Sequence, residues 1–236
     1  MYDNAHEEIK QAIEAAYRKQ NEDYARHNHL PEDTQHYVYA EHPLENRVIF
    51  ETVRNLLTHD IADAKDGLQV VLLEQRRVFP VNLGIGQGSI QVGGTIDRLD
   101  ICRGVLRVVD YKTGHYSAKK MASEMSKLFS DPDSRYVLQT LIYSETIANA
   151  DSLEYPMPLQ PNLFFSQRKR NSEDTLISLD KSPVSDYRCL RKDFVPALEE
   201  KVCEVLTTTS FPQVEESKCS SFCPYLEICA RTGKSY

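Results

Sequence analysis

The stretch that most constrains this chain is GGTIDRLDICRGVLRVVDYKTG, residues 93–114. Arg103-Gly104 stands between two strand-like runs, and such a dipeptide predicts a tight β-hairpin. With a two-residue loop, Cys102 faces Val105 and Asp100 faces Arg107, an opposite-charge pair. Asp97 then falls opposite Asp110. Directly opposed side chains have Cβ atoms about 4.5–5.5 Å apart. Strand alternation sets Lys112 on the same face as Asp110, and Leu99, Ile101, Leu106 and Val108 continue that face. A one-residue slip would break the alignment, so the loop length decides the geometry.

Two carboxylates and an ammonium thus meet where an apolar face ends. Opposed carboxylates repel, and Asp is disfavoured in strands. A hard divalent cation offsets both costs, because Mg²⁺ takes oxygen ligands and often only one or two protein carboxylates. A lysine beside it can orient or help deprotonate an attacking water and counter charge on a reacting phosphate. The alternative is a solvated face carrying an incidental acidic pair.

The flanking sequence gives the setting. Apolar residues at helical spacing predict helices from Asn4 to about Arg26 and from Leu44 to His59. Strands are expected over residues 68–82, 89–102 and 105–113, a short helix over 117–129, and a longer one over 134–149. A strand over 157–166 and a helix over 186–206 follow, then a cysteine-rich tail. This order predicts an α/β fold with a helical N-terminal part. The run Gly84-Ile85-Gly86-Gln87-Gly88 lacks the Lys-Ser/Thr and the helix of a phosphate loop, so it reads as a turn between strands.

Gly94-x-x-Asp97-Arg98-x-Asp100, followed by Val109-Asp110-Tyr111-Lys112-Thr113-Gly114, resembles the G-x-I-D-R-x-D and D-Y-K-T-G signature of the RecB-like branch of the PD-(D/E)XK nucleases. The spacing of 13 between the two Asp residues also fits. The resemblance implies a restriction-endonuclease-like core, a mixed central sheet flanked by helices. It implies that Asp97, Asp110 and the backbone carbonyl of Tyr111 hold Mg²⁺ or Mn²⁺, with Lys112 catalytic. Glu74 lies in the preceding strand, where this branch carries an acidic residue near the metal, and the resemblance implies that it joins Asp97 and Asp110 in holding the ion. Gln139-Thr140-Leu141-Ile142-Tyr143 matches the Q-x-x-x-Y motif of the same branch. Its i, i+4 spacing puts Gln139 and Tyr143 on one helix face, to contact the DNA backbone or brace the site.

The resemblance has departures. Many RecB-like nucleases carry a metal-ligating His on an upstream helix; the candidates His6, His42 and His59 read better as surface or capping residues. The ending Cys219-x-x-x-Cys223-x-x-x-x-x-Cys229 is similar to the cysteine tail of AddB-like nucleases, which with a distant upstream cysteine holds a 4Fe–4S cluster. Here the first gap holds three residues rather than two, and no cysteine precedes Cys102. Cysteines packed as small apolar residues are the alternative. A zinc-organised tail is weaker still, with three thiols where a closed site needs four.

Arg168, Lys169 and Arg170 form a basic patch that can meet phosphates, with Lys119, Lys120 and Lys127 as further candidates. The net charge of −7 argues against a protein that coats nucleic acid but not against an enzyme acting on it. No apolar run reaches the roughly 18 residues of a spanning helix, and no signal peptide is visible, so a soluble cytoplasmic protein is expected. The domain reading is a helical part over 1–66, a nuclease core over 67–210 and a tail over 211–236. The chain reads as a fragment of a longer helicase–nuclease or exonuclease, with a helicase domain or subunit as partner. The expected activity is metal-dependent DNA hydrolysis, exonucleolytic, in double-strand-break processing and recombinational repair. The alternative is a non-catalytic DNA-binding or structural module that keeps the fold.

Overall fold

The computed structural model describes residues 2–84, 88–150, 156–166, 175–211 and 225–229. Helix α1 (Tyr2–His27) and helix α2 (Pro43–Lys65) form an antiparallel pair. The His6 ring lies 4.4 Å from Phe50, and Tyr17 lies 6.3 Å from His42. Ile9 and Ile13, one turn apart, are buried in this pair. Pro43 opens α2, where its missing N–H costs nothing and its φ is preset for a helix.

Strands β1 (Gln69–Asn82), β2 (Ser89–Cys102) and β3 (Val105–Lys112) are antiparallel neighbours. Strand β5 (Leu159–Phe165) runs parallel to β3, and the crossover between them carries helix α3 (Arg135–Ala150). The central sheet therefore has the order β1-β2-β3-β5. Helix α4 (Arg191–Thr207) closes the described core. This is a mixed α/β fold of the restriction-endonuclease-like kind. No helix among the described residues is long and apolar enough to cross a membrane.

The two faces of the sheet are built differently. On one, Leu99, Leu106, Val108, Leu159 and Leu163 are buried in a core shared with Val137, Leu141 and Ile147 of α3. On the other, β2 and β3 present Arg98, Asp100 and Arg107, all buried. Asp100 accepts from Arg98 Nε and Arg107 Nε, each at 2.6 Å. Arg98 Nη1 reaches Asp60 at 2.8 Å, and Arg107 Nη1 reaches Asp63 at 2.9 Å. Arg103, in the hairpin turn, binds Asp66 just beyond α2. Ionic bonds therefore join α2 to the sheet.

The segment 117–129 departs from the expected helix. It forms two 3₁₀ turns, Ala118–Met121 and Met125–Lys127, around the two-residue strand β4 (Ala122–Ser123). Met121 and Leu128 are buried at a spacing that imitates a helix. Tertiary contacts win: β4 pairs with β6 (Ser178–Leu179), which turns into β7 (Ser182–Pro183), and Met125 N donates to Asp180 Oδ1 at 3.0 Å. Helix α4 begins later than the pattern predicts, because Asp186 caps the separate turn Tyr187–Cys189 through Arg188 N–H.

Asp100 is 0 % exposed and offsets two guanidinium groups. Asp100→Ala removes the carboxylate the two share and leaves each with a single carboxylate partner, Asp60 or Asp63, at the helix side, and is expected to cost about 3 kcal/mol. Denaturant unfolding measures this; a destabilisation below about 1 kcal/mol would contradict the network's role.

Candidate active site

The β2–β3 register runs from Cys102↔Val105 through Asp100↔Arg107 to Arg98↔Val109. Asp97 and Asp110 are the next residues in line. The regular ladder stops just short of them, because Asp97 Oδ2 accepts the N–H of Tyr111 at 2.7 Å. The expected strand pair is thus replaced by a side-chain bond across the same gap. On β1, Leu73 pairs with Arg98 and Gln75 with Ile96, which sets Glu74 across from Asp97. Glu74 has φ +49, a costly conformation for a residue with a side chain, and is exposed. Glu74, Asp97 and Asp110 therefore form a row across three strands. Among the described residues, no three His, Cys, Asp or Glu side chains converge into one ligand group, so Glu74 stands in the row without closing on the pair.

Asp110 is 2 % exposed. Burial pushes its carboxyl up to about 6, against the pull of Lys112 and with a further push from Asp97. Lys112 Nζ lies 2.6 Å from Asp110 Oδ2. Apart from this ion pair, the buried Oδ2 receives no hydrogen bond from the described residues. Lys112 Nζ also donates to Gln139 Oε1 at 2.8 Å, and Gln139 Nε2 donates to Tyr143 Oη at 2.8 Å. The chain of bonds ends on β2. A Cβ at Gly94 would lie 2.9 Å from Tyr143 Cε1, so glycine is required where the ring rests. Its neighbour Gly93 meets the β1 backbone, where a Cβ would lie 2.2 Å from Arg77 O.

From the other face, Arg98 Nη1 donates to Tyr111 Oη at 3.0 Å while it holds Asp60. The Tyr111 ring also packs against Phe164 at 5.4 Å. Tyr111 is thus held at its N–H by Asp97 and at its ring by the ionic network. Sequence reading did not single out Arg98 as a brace for Tyr111, nor Tyr136, whose ring lies 4.8 Å from Lys112 Nζ. Tyr136 precedes Gln139 by three residues on the same helix, and that spacing was its available signal.

The other candidates are placed as follows. His6 packs on Phe50, and His42 Nδ1 lies 2.5 Å from Glu45. His59 packs edge-on against Phe164, the β5 partner of Tyr111, on the face away from Asp110 and Lys112. Lys127 pairs with Glu124 at 3.0 Å, Lys119 is exposed, and Lys120 donates to His115 O. Cys229 N–H bonds Tyr225 O in a turn. Arg168, Lys169, Arg170, Cys219 and Cys223 lie outside the described residues.

A family model described as the PD-(D/E)XK nuclease superfamily matches residues 2–230 of this chain. The chain belongs to that superfamily, whose members are usually nucleases that hydrolyse phosphodiester bonds and generally use divalent metals. A comparison with curated proteins gives no match. The residues present fit such a metal. Two adjacent carboxylates, one of them buried with only the Lys112 ammonium against its Oδ2, are the oxygen-rich donors that Mg²⁺ takes, and it needs few of them.

The raised Asp110 carboxyl has a stability consequence. Its folded value of about 6 exceeds the ordinary 3.8, so the stability present below 3.8 is lost as pH rises through about 6. In the presence of a chelator, Asp110→Asn is expected to stabilise the protein by about 1–2 kcal/mol near pH 8 and to confer no such gain near pH 4. Denaturant unfolding at the two pH values checks this; equal effects at both would contradict it.

Proposed function

We propose that this member of the PD-(D/E)XK superfamily is a RecB/AddB-like, Mg²⁺- or Mn²⁺-dependent deoxyribonuclease. It acts as an exonuclease on DNA ends in double-strand-break repair and recombination. We read the chain as the nuclease portion of a longer helicase–nuclease or exonuclease working in the cytoplasm. Residues 1–66 form its helical part, 67–210 its core and 211–236 its tail. The observation that carries this reading is the unbroken contact path Asp110–Lys112–Gln139–Tyr143–Gly94, which links three separate motifs of the RecB-like pattern.

Asp97, Asp110 and the Tyr111 carbonyl would hold the metal. When bound, it supplies Lewis acidity to the scissile phosphate and eases deprotonation of the attacking water. The chain's own residues do the rest. Lys112 places its ammonium beside Asp110, where it orients the water and counters charge that builds on the phosphate. Gln139 fixes Nζ by accepting its hydrogen bond, and Tyr143 fixes the Gln139 amide. Asp97 and Arg98 fix Tyr111 from both sides of the strand. Gln139 and Tyr143 act here as positioning residues, since each spends its polar group inside the path.

Cleavage of end-labelled linear DNA in Mn²⁺ tests the proposal. Lys112→Met is expected to lower kcat by about 10²–10³-fold. Gln139→Leu should lower it by about 10–100-fold with the fold intact. Metal-dependent cleavage that survives Asp110→Ala or Lys112→Met would refute the assignment.

A further inference from the structure

Beside the ion-paired Lys112, the structure sets two further cations, Arg135 and Lys120, around the Tyr136 ring. Lys112 Nζ lies 4.8 Å, Arg135 Cζ 4.7 Å and Lys120 Nζ 6.0 Å from the centre of the Tyr136 ring. Arg135 Nη2 donates to Tyr136 Oη at 3.2 Å, and Lys120 Nζ donates to the carbonyl of His115 at 2.9 Å. Among the described residues, neither Arg135 nor Lys120 has an ion-pair partner. Several other described cations face a carboxylate, among them Arg98, Arg103, Arg107, Lys127, Arg188 and Arg191, whereas Arg47 and Arg76 do not; what sets Lys120 and Arg135 apart is that they gather on one ring beside Lys112.

Lys120 and Arg135 repel each other around the ring while Lys112 is held by Asp110, and an anion seated between the two would relieve that repulsion. The donors left over are chemically specific. Arg135 retains most of its N–H groups, Lys120 retains donors beyond its one bond, and the Tyr136 hydroxyl can still donate. These suit the non-bridging oxygens of a phosphodiester. The Tyr136 ring already lies beneath Lys112 and Arg135 and meets Phe165 edge-on at 6.2 Å, which leaves its hydroxyl better placed than its face for a ligand. Phosphate contact therefore prevails over base stacking, and such contact carries no sequence information.

We propose that Lys120, Arg135 and Tyr136 form a phosphate subsite that holds the DNA backbone phosphate next to the one at Lys112, independently of base sequence. Resting on the nuclease reading above, it adds a substrate-positioning site outside the shared motifs. Its role is to set which phosphodiester lies over Asp110 and Lys112.

The test uses the full chain and a fluorescent single-stranded oligonucleotide in Ca²⁺, read by anisotropy over a salt series, with Mn²⁺ cleavage in parallel. The double variant Lys120→Gln/Arg135→Gln is expected to bind about 10-fold more weakly at low salt. Its plot of log K against log salt should flatten by about 0.7 for each phosphate that the variant no longer neutralises. KM should rise by a similar factor while kcat changes less than about 3-fold, since the phosphate is held in ground and transition states alike. Single methylphosphonate linkages moved along the strand should weaken wild-type binding at one position, and the variant should show no such dependence. Unchanged affinity and salt slope in the variant would overturn the inference, as would failure of the wild type to bind. If the wild type binds and the variant shows the weaker affinity and flatter slope, but neither cleaves DNA, the subsite stands and the nuclease assignment falls.

Discussion

The buried Asp100 carboxylate, shared by Arg98 and Arg107, is the interaction on which the rest of the site depends. All three groups sit on one face of the β2–β3 hairpin, and their partners Asp60 and Asp63 come from α2. A slip of one residue would turn these charges into the leucine-rich core and turn Leu99, Leu106 and Val108 toward α2. Each buried charge would then be separated from its partner, at a cost of several kcal/mol. The network therefore specifies register more than it adds stability. Register in turn puts Asp97 beside Asp110 and puts Lys112 on the same face.

The same network reaches the site through Tyr111. Arg98 grips the Tyr111 hydroxyl from the face that α2 covers, and Asp97 grips its N–H. The peptide between Asp110 and Lys112 is thus held from both sides. On the apolar face the support comes from α3, whose Gln139 and Tyr143 bridge Lys112 to Gly94. The arrangement carries strain at its centre: Asp110 is buried with a carboxyl held up near 6, and Glu74 is held at positive φ. Groups kept in unfavourable settings at one spot are common where a fold serves chemistry.

Much of this was readable from residue order. The Arg103-Gly104 turn predicted the hairpin, and the Asp100–Arg107 opposition appeared from loop length alone. The Gln139–Tyr143 face followed from helical spacing. Other features depend on chain segments far apart in sequence. Asp60 and Asp63 lie three residues apart on an amphipathic helix and look like a solvated stripe until the sheet brings arginines to them. The 117–129 segment has helix-like burial but yields to pairing with Ser178 and Leu179, far along the chain. The switch of Asp97 from strand partner to acceptor of the Tyr111 N–H is a side-chain choice that periodicity does not encode.

If the hairpin register makes Asp97 and Asp110 a cation site with Lys112 at its edge, a metal must seat there. Crystals of the chain soaked in Mn²⁺ and measured at the manganese edge test this most directly. One anomalous peak is predicted within coordination distance of both carboxylates and of the Tyr111 carbonyl. No peak there, or a peak bound by other side chains while Asp110 stays paired to Lys112 alone, would contradict it.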